Sequence, residues 1–158
     1  MATPSRARRH EIVPMRLEDL EAVMAIEHLS FRSPWSRRVF LEELERDWAH
    51  LDVVKERDRG VVAFVNHWLV RDEVHILNLA THPEARRQGH AARLLRHVIE
   101  FARAHKCRYL TLEVRRSNHA AVKLYRSFGL RPVGIRPNYY VEDQEDAIVM
   151  LLELGKGS

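Results

Sequence analysis

Asn78-Leu79-Ala80-Thr81-His82-Pro83-Glu84-Ala85-Arg86-Arg87-Gln88-Gly89-His90-Ala91-Ala92 carries an apolar strand through a proline turn into a helix start that contains glycine. These residue types suit a cradle for a pyrophosphate. In the first turn of a helix the backbone N–H groups have no intrahelical partner, and the helix dipole favours an anion there. The amides from Arg87 to Ala92, through Gln88, are the ones such a ligand would meet, with Arg86 beside them. Gly89 and Ala91 keep the backbone open, because a larger side chain at either place would hold phosphate oxygens away. His90, between them, is expected to point outward. The same residues also fit an ordinary loop-to-helix junction. The stretch is not the dinucleotide fingerprint, which has three glycines and an acidic residue about 20 positions on. Nor is it a Walker loop, since no Gly-Lys-Ser/Thr follows.

The chain of 158 residues, 46% apolar and 30% charged, fits one domain able to bury one core. The expected organisation is a flexible basic tail over residues 1–9 and a single domain over 10–158. No apolar run approaches the roughly 18 residues needed to span a bilayer, and the charged N-terminus has no signal-peptide core. A cytoplasmic location with no membrane partner is the default expectation. Lysine plus arginine outnumber aspartate plus glutamate by 26 to 22, for a formal charge of +4, which suits a polyanionic ligand. A phosphorylated cofactor and a nucleic acid both answer to that. The single cysteine, Cys107, excludes an internal disulfide and reads as a small core residue. The ten histidines form no His-x-x-x-His pair around a glutamate, so no metal site is expected.

The elements that must position these residues follow from periodicity. Ile12, Val13 and Met15 predict a first strand, and Leu17, Leu20, Val23 and Met24 recur at helical spacing to about Ser30. Ser36 caps a second helix carrying Val39, Phe40 and Leu44. Leu51–Glu56 and Val61–Val70 read as strands joined at Asp58-Arg59-Gly60, and Val74–Thr81 as the strand that delivers the chain to the anion turn. A helix with Ala91, Leu94, Leu95, Val98 and Ala102 on one face runs to about His105. Tyr109–Val114 is a strand, and Ser117 or Asn118 caps a helix bearing Ala121, Leu124, Tyr125 and Phe128, closed by Gly129. Leu130–Ile135 and Ala147–Leu154 complete the strands, with Asn138-Tyr139-Tyr140 in the polar loop between them. The order predicts an α/β (α+β) fold, a mixed seven-stranded sheet with about four helices on its two faces.

A strand, an Arg-x-x-Gly-x-Ala helix start, a strand ending Leu112-Glu113-Val114-Arg115 and a helix with Asn118 and Leu124-Tyr125 together resemble the Gcn5-related N-acetyltransferase (GNAT) superfamily over about residues 11–154. Ser33-Pro34-Trp35-Ser36, His75-Ile76-Leu77-Asn78-Leu79-Ala80, Ser117-Asn118 and Asn138-Tyr139-Tyr140 are similar to its RimI-type ribosomal-protein alanine N-acetyltransferases. His90-Ala91 stands where that family usually has a second glycine or a small aliphatic pair, a departure that bears on cofactor affinity. Phe128-Gly129-Leu130 replaces its Leu-Gly-Phe. The resemblance implies acetyl-coenzyme A, with its pyrophosphate on the amides of Arg87 to Ala92.

Acetyl transfer needs a neutral amine, a polarised thioester carbonyl and a proton for the departing thiolate. An α-ammonium titrates near about 8, so a nearby carboxylate, directly or through water, suffices to take its proton. Glu113 ends a buried strand, and the resembling family carries its general base at the matching position; the alternative is an ion pair with Arg115 or Arg116. Tyr125, about two turns into the following helix, is the candidate general acid, since a phenol near about 10 stays protonated at neutral pH. Its alternative is a core tyrosine beside Leu124 and Phe128. Asn118 both caps its helix and, by the resemblance, binds the cofactor. A bulge around Leu79, Ala80 and Thr81 would offer backbone N–H groups to the thioester carbonyl and the pantetheine, where the resemblance places them; ordinary strand pairing is the alternative. By the family's pattern Trp35, Tyr139 and Tyr140 flank the acceptor peptide, against a reading as rim aromatics over the core.

The leading expectation is direct acetylation of the N-terminal alanine of a small ribosomal subunit protein, protein 18. A second enzyme reading moves the acetyl group to a small amine or a lysine side chain. A third is a non-catalytic domain that binds RNA or senses acyl-coenzyme A; the arginines lack interleaved stacking aromatics, and nucleic-acid binding is not required by the leading reading.

Overall fold

Residues 10–155 are described in the computed structural model, so the basic tail expected over 1–9 lies outside them. The elements are β1 (His10–Pro14), α1 (Leu20–Ser30), α2 (Arg37–Glu45), β2 (Ala49–Glu56), β3 (Gly60–Val70), β4 (Glu73–Thr81), α3 (His90–Ala104), β5 (Tyr109–Arg115), α4 (His119–Ser127), β6 (Arg131–Tyr140) and β7 (Glu145–Glu153). They form one seven-stranded mixed sheet in the order β1-β2-β3-β4-β5-β7-β6. The chain divides into two compact units. One holds the described residues up to Asn66 together with Asn78–Arg96, and the other His67–Leu77 with the residues from His97 onward.

The element order is the one the periodicity predicts, and the differences are local. Helix α1 begins at Leu20, because Leu17–Asp19 forms a separate 3-10 turn in which the Asp19 carboxylate accepts from the Arg16 amide at 2.8 Å. Ser36 caps α2 by accepting from the Val39 amide. Asn118, not Ser117, caps α4, accepting from the Ala121 amide at 3.2 Å; Ser117 is drawn to Glu145, which accepts its amide at 2.9 Å. Gly129, at φ +95°, ends α4 in a Schellman turn: its amide donates to the Arg126 carbonyl and that of Leu130 to the Tyr125 carbonyl.

The expected loop at Asn138-Tyr139-Tyr140 is a correction, since all three residues belong to β6. The register against β7 jumps between Arg136 and Tyr140, Asn138 takes the left-handed conformation at φ +52°, and Tyr140 rejoins opposite Glu145. A bulge thus carries a polar, turn-like sequence inside a strand. Pro132 and Pro137 are tolerated there because β6 lies at the sheet edge.

The first unit has a core of Met15, Leu20, Val23, Ile26, Phe40, Leu51, Val53, Phe64 and Ala80, with Trp35 packed against it. Inside it lies the Glu27 carboxylate, 1% exposed, accepting from the Trp35 amide at 2.8 Å and from Asn78 Nδ2 at 3.1 Å. In the second unit the alternation of β5 buries Leu110, Leu112 and Val114 and turns Thr111, Glu113 and Arg115 to the other face.

Burial raises the Glu27 pKa above the ordinary carboxylate value, with the Trp35 and Asn78 hydrogen bonds opposing. A pKa raised in the folded state adds stability that is complete below the unfolded value and is lost as pH rises through the folded one. Glu27→Gln should therefore remove a decline in stability on going from about pH 4 to pH 7, while keeping an acceptor for Trp35. Glu27→Ala leaves the Trp35 and Asn78 donors buried without their acceptor and should cost about 1–3 kcal/mol. Urea denaturation of the three proteins across that pH range checks both.

Candidate active site

The residues of the expected cradle belong to the first unit. The first intrahelical bond of α3 runs from the Arg93 amide to the Gly89 carbonyl at 3.0 Å, so the amides of His90, Ala91 and Ala92 open the helix with no intrahelical acceptor. Ahead of them Arg87 and Gly89 both adopt positive φ, +65° and +82°, which turns successive backbone groups of an exposed loop. Glycine is required at 89 by that angle and not by crowding: an added Cβ would meet the Arg93 guanidinium at 3.7 Å, an ordinary contact.

Side chains from elsewhere in the unit hold the loop in this shape. Arg59, in the β2–β3 turn, donates to the Glu84 carbonyl at 3.1 Å and to Gln88 Oε1 at 2.8 Å, and is itself held by both Glu56 oxygens. Arg93 donates to the Gln88 carbonyl at 2.8 Å. The expectation that His90 points outward is corrected: the residue is 3% exposed, and its Nε2 lies 2.8 Å from Glu56 Oε1. Its Nδ1 is 3.1 Å from Arg93 Nη1. A guanidinium cannot accept, so Nδ1 bears the lone pair and Nε2 the proton. His90 turns inward because the carboxylate of β2 and the arginine one helical turn on match its two nitrogens. The Arg59 hydrogen bond is the main reason that the Glu56 pKa lies below the ordinary value, with His90 adding to it.

Leu79, Ala80 and Thr81 end β4. Parallel pairing of β4 with β5 covers Glu73–Ile76 against Tyr109–Leu112 and stops there, before these three residues. Trp35 stands on the α1–α2 connection with its ring 5.4 Å from Phe40, packed on the core as the alternative reading had it.

In the second unit Glu113 makes neither of the arginine pairs weighed for it. Arg115 binds Asp143 at 2.7 Å, and Arg116 lies 3.5 Å from Asp146. Glu113 instead meets His75, whose Nε2 is 2.7 Å from Oε2, and Arg136, whose Nη1 is 3.7 Å from Oε1. The His75 hydrogen bond is the main cause of a Glu113 pKa below the ordinary value, although burial works against it. Sequence reasoning did not find His75. The signal was present in the alternation of β4, which puts His75 opposite the buried Val74 and Ile76, but its partner is 38 residues away.

Tyr125 is the buried residue of α4, 7% exposed, with Leu124 and Phe128 less covered. Burial first, and Tyr140 second, push its phenol up to about 12, above the value near 10 assumed from composition. It therefore stays protonated throughout the neutral range. Tyr140 lies beneath the Arg115 guanidinium, 4.0 Å from its ring centre, and Tyr139, 45% exposed, stacks edge-on against it at 5.2 Å. No group of three or more His, Cys, Asp or Glu among the described residues is placed to hold a metal. No helix among them is long and apolar enough to cross a membrane.

A mixed seven-stranded sheet with a glycine-opened α3 after β4 defines an acetyltransferase of the GNAT type. Residues 20–130 match the acetyltransferase (GNAT) family, and the chain belongs to it. A Bacillus subtilis protein provisionally named a ribosomal protein bS18-alanine N-acetyltransferase is 42% identical over 90% of this chain and 94% of its own length. The Escherichia coli K12 protein named ribosomal protein bS18-alanine N-acetyltransferase is 34% identical over 90% of this chain and 97% of its own. The crystal structure of the E. coli ribosomal-protein-S18-alanine N-acetyltransferase superposes with a TM-score of 0.85 at 33% identity, covering 93% of this chain and 95% of that one.

Because Gly89 is held at φ +82°, Gly89→Ala should cost about 1–2 kcal/mol through the left-handed backbone alone. Gly134, which has ordinary φ and open space around its Cα, should accept alanine with no measurable loss. Urea unfolding midpoints of the two variants make the comparison.

Proposed function

We propose that this protein transfers the acetyl group of acetyl-coenzyme A to the α-amine of an N-terminal alanine, that of ribosomal protein bS18, by direct attack of the amine on the thioester. The observation that carries the substrate is the likeness to two bS18-alanine N-acetyltransferases over at least 90% of both partners. Family membership supports acetyl-coenzyme A as donor.

Each residue has a role in this reading. The amides of Arg87, Gln88, Gly89, His90, Ala91 and Ala92 receive the pyrophosphate, with Arg86 supplying positive charge and Asn118 a further cofactor contact. Positive φ at Arg87 and Gly89 and the open first turn of α3 support that fit. The loss of β5 pairing before Leu79, Ala80 and Thr81 supports their use as backbone donors to the pantetheine and the thioester carbonyl. Glu113 supplies the carboxylate on which deprotonation of the α-ammonium depends. Tyr125 donates its phenolic proton toward the departing sulfur, and a phenol that stays protonated is suited to that. Trp35, Tyr139 and Tyr140 border the acceptor. The reaction requires no metal and no acyl-enzyme, and Cys107 is buried with its thiol pKa pushed up by burial. An acceptor that is a ribosomal protein puts the reaction in the cytoplasm in this reading.

The test is acetylation of bS18, of peptides that begin with alanine and other residues, and of lysine and polyamine acceptors, read by mass spectrometry. Preference for the bS18 N-terminus by at least tenfold in kcat/KM is expected, and equal rates on lysine side chains would overturn the reading. Glu113→Gln should retain coenzyme A affinity by calorimetry and lose about 10²-fold or more in turnover at neutral pH. Tyr125→Phe should lower kcat about tenfold or more with an unchanged unfolding midpoint; full turnover would make the tyrosine structural.

A further inference from the structure

His75 and Glu113 are brought together by strand geometry. His75 pairs in register with Thr111, and Glu113 is the next residue on that face of β5. The imidazole is 38% exposed and the carboxylate 12%. His75 Nε2 to Glu113 Oε2 is 2.7 Å, the one side-chain hydrogen bond of His75 among the described residues.

The charged neighbours fix where the proton between them lies. Arg136 of β6 faces Glu113 at 3.7 Å, and Tyr140 at the end of β6 is also close enough to feel its charge. Arg115, one further along the same face of β5, is committed to Asp143 at 2.7 Å and Glu145 at 3.7 Å. Glu113 is therefore an ionised acceptor at neutral pH, and the hydrogen belongs to His75 Nε2. In the neutral ring the lone pair is then on Nδ1.

A carboxylate held low is poorly matched to an ammonium that titrates near about 8; even at its ordinary value the gap exceeds three pKa units. An imidazole is the side chain suited to proton traffic near neutrality.

We propose that Nδ1 of His75 takes the proton from the acceptor's α-ammonium, with Glu113 as the positioning carboxylate that fixes the Nε2–H tautomer and stabilises the imidazolium. The inference rests on the reading above that Glu113 serves acetyl transfer to an α-amine, and it specifies how. The ammonium N–H bond breaks with its electron pair left on nitrogen and its proton on Nδ1. That pair forms the C–N bond to the thioester carbon, and the C–S bond breaks with its electrons on sulfur. Sulfur gains the proton of Tyr125, and the second proton lost from nitrogen passes through solvent to the phenolate that this leaves. The imidazolium returns its proton to solvent.

His75→Gln keeps an N–H donor for Glu113 but has no titrating lone pair. With acetyl-coenzyme A and the acceptor that the wild type acetylates, its kcat/KM should fall about 10²- to 10³-fold at pH 7. It should climb toward the wild-type value as pH passes the amine pKa, with coenzyme A affinity unchanged. Nitrogen NMR of the unsubstituted protein should show His75 protonated on Nε2 and bare on Nδ1 near pH 8; the opposite tautomer overturns the proposal without recourse to any variant. A wild-type pH profile in His75→Gln while Glu113→Gln is impaired would also overturn it, leaving the role of Glu113 intact. Full activity in both variants would instead remove the reading of Glu113 on which it rests.

Discussion

Pairing of β4 with β5 over Glu73–Ile76 and Tyr109–Leu112 is the constraint on which the meeting of His75 and Glu113 rests, because it sets which side chains of the two strands share a face. With a side-chain period of two, a slip by one residue would turn Glu113 into the core in place of Leu112 and leave His75 without its carboxylate. Register on the far side is equally firm, since β7 pairs with β5 across seven residues from Tyr109 to Arg115. The result is a carboxylate gripped by an imidazole and approached by a guanidinium, in surroundings dry enough for these hydrogen bonds to control its ionisation.

The loop that leads into α3 depends on a different device. A loop with two left-handed residues in the space of three is costly for the backbone, and here it is braced by Arg59 and Arg93 from opposite ends and by His90 beneath. Glu56 links the two halves of that brace, accepting from Arg59 and from His90 at once. Such a network differs from the exposed pairs Arg38–Glu42 and Arg131–Glu153, which lie in water and contribute little to stability. Its value is in the conformation it selects. Donors already turned outward lose less entropy when an anion arrives than donors that must first be ordered.

Buried polar groups serve the same end at the α1–α2 connection. Removing the Glu27 carboxylate from water is unfavourable, and its two acceptor oxygens are answered by the Trp35 backbone amide and by the Asn78 side chain of β4. The connection that carries Trp35 is thereby tied to the strand that leads into Leu79, Ala80 and Thr81. These hydrogen bonds fix the place of the connection, and a hydrophobic contact alone would leave the loop freer to slide.

Local order was largely legible in the chain. The order of strands and helices, the Ser36 cap and the glycine closure at Gly129 follow from periodicity and from the few residues that satisfy helix ends, which are interactions between near neighbours. The helix start that follows Gly89 was legible for the same reason. Tertiary structure decided the rest: that His90 faces Glu56 across 34 residues, that Glu113 takes His75 and not an adjacent arginine, and that Asn138 bends inside a strand. For Glu113 the competing partners, Arg115 and Arg116, were nearer in sequence, and the outcome turned on which distant group strand pairing brought within hydrogen-bond reach. Composition and spacing carry no information on that geometry until the sheet has closed its register.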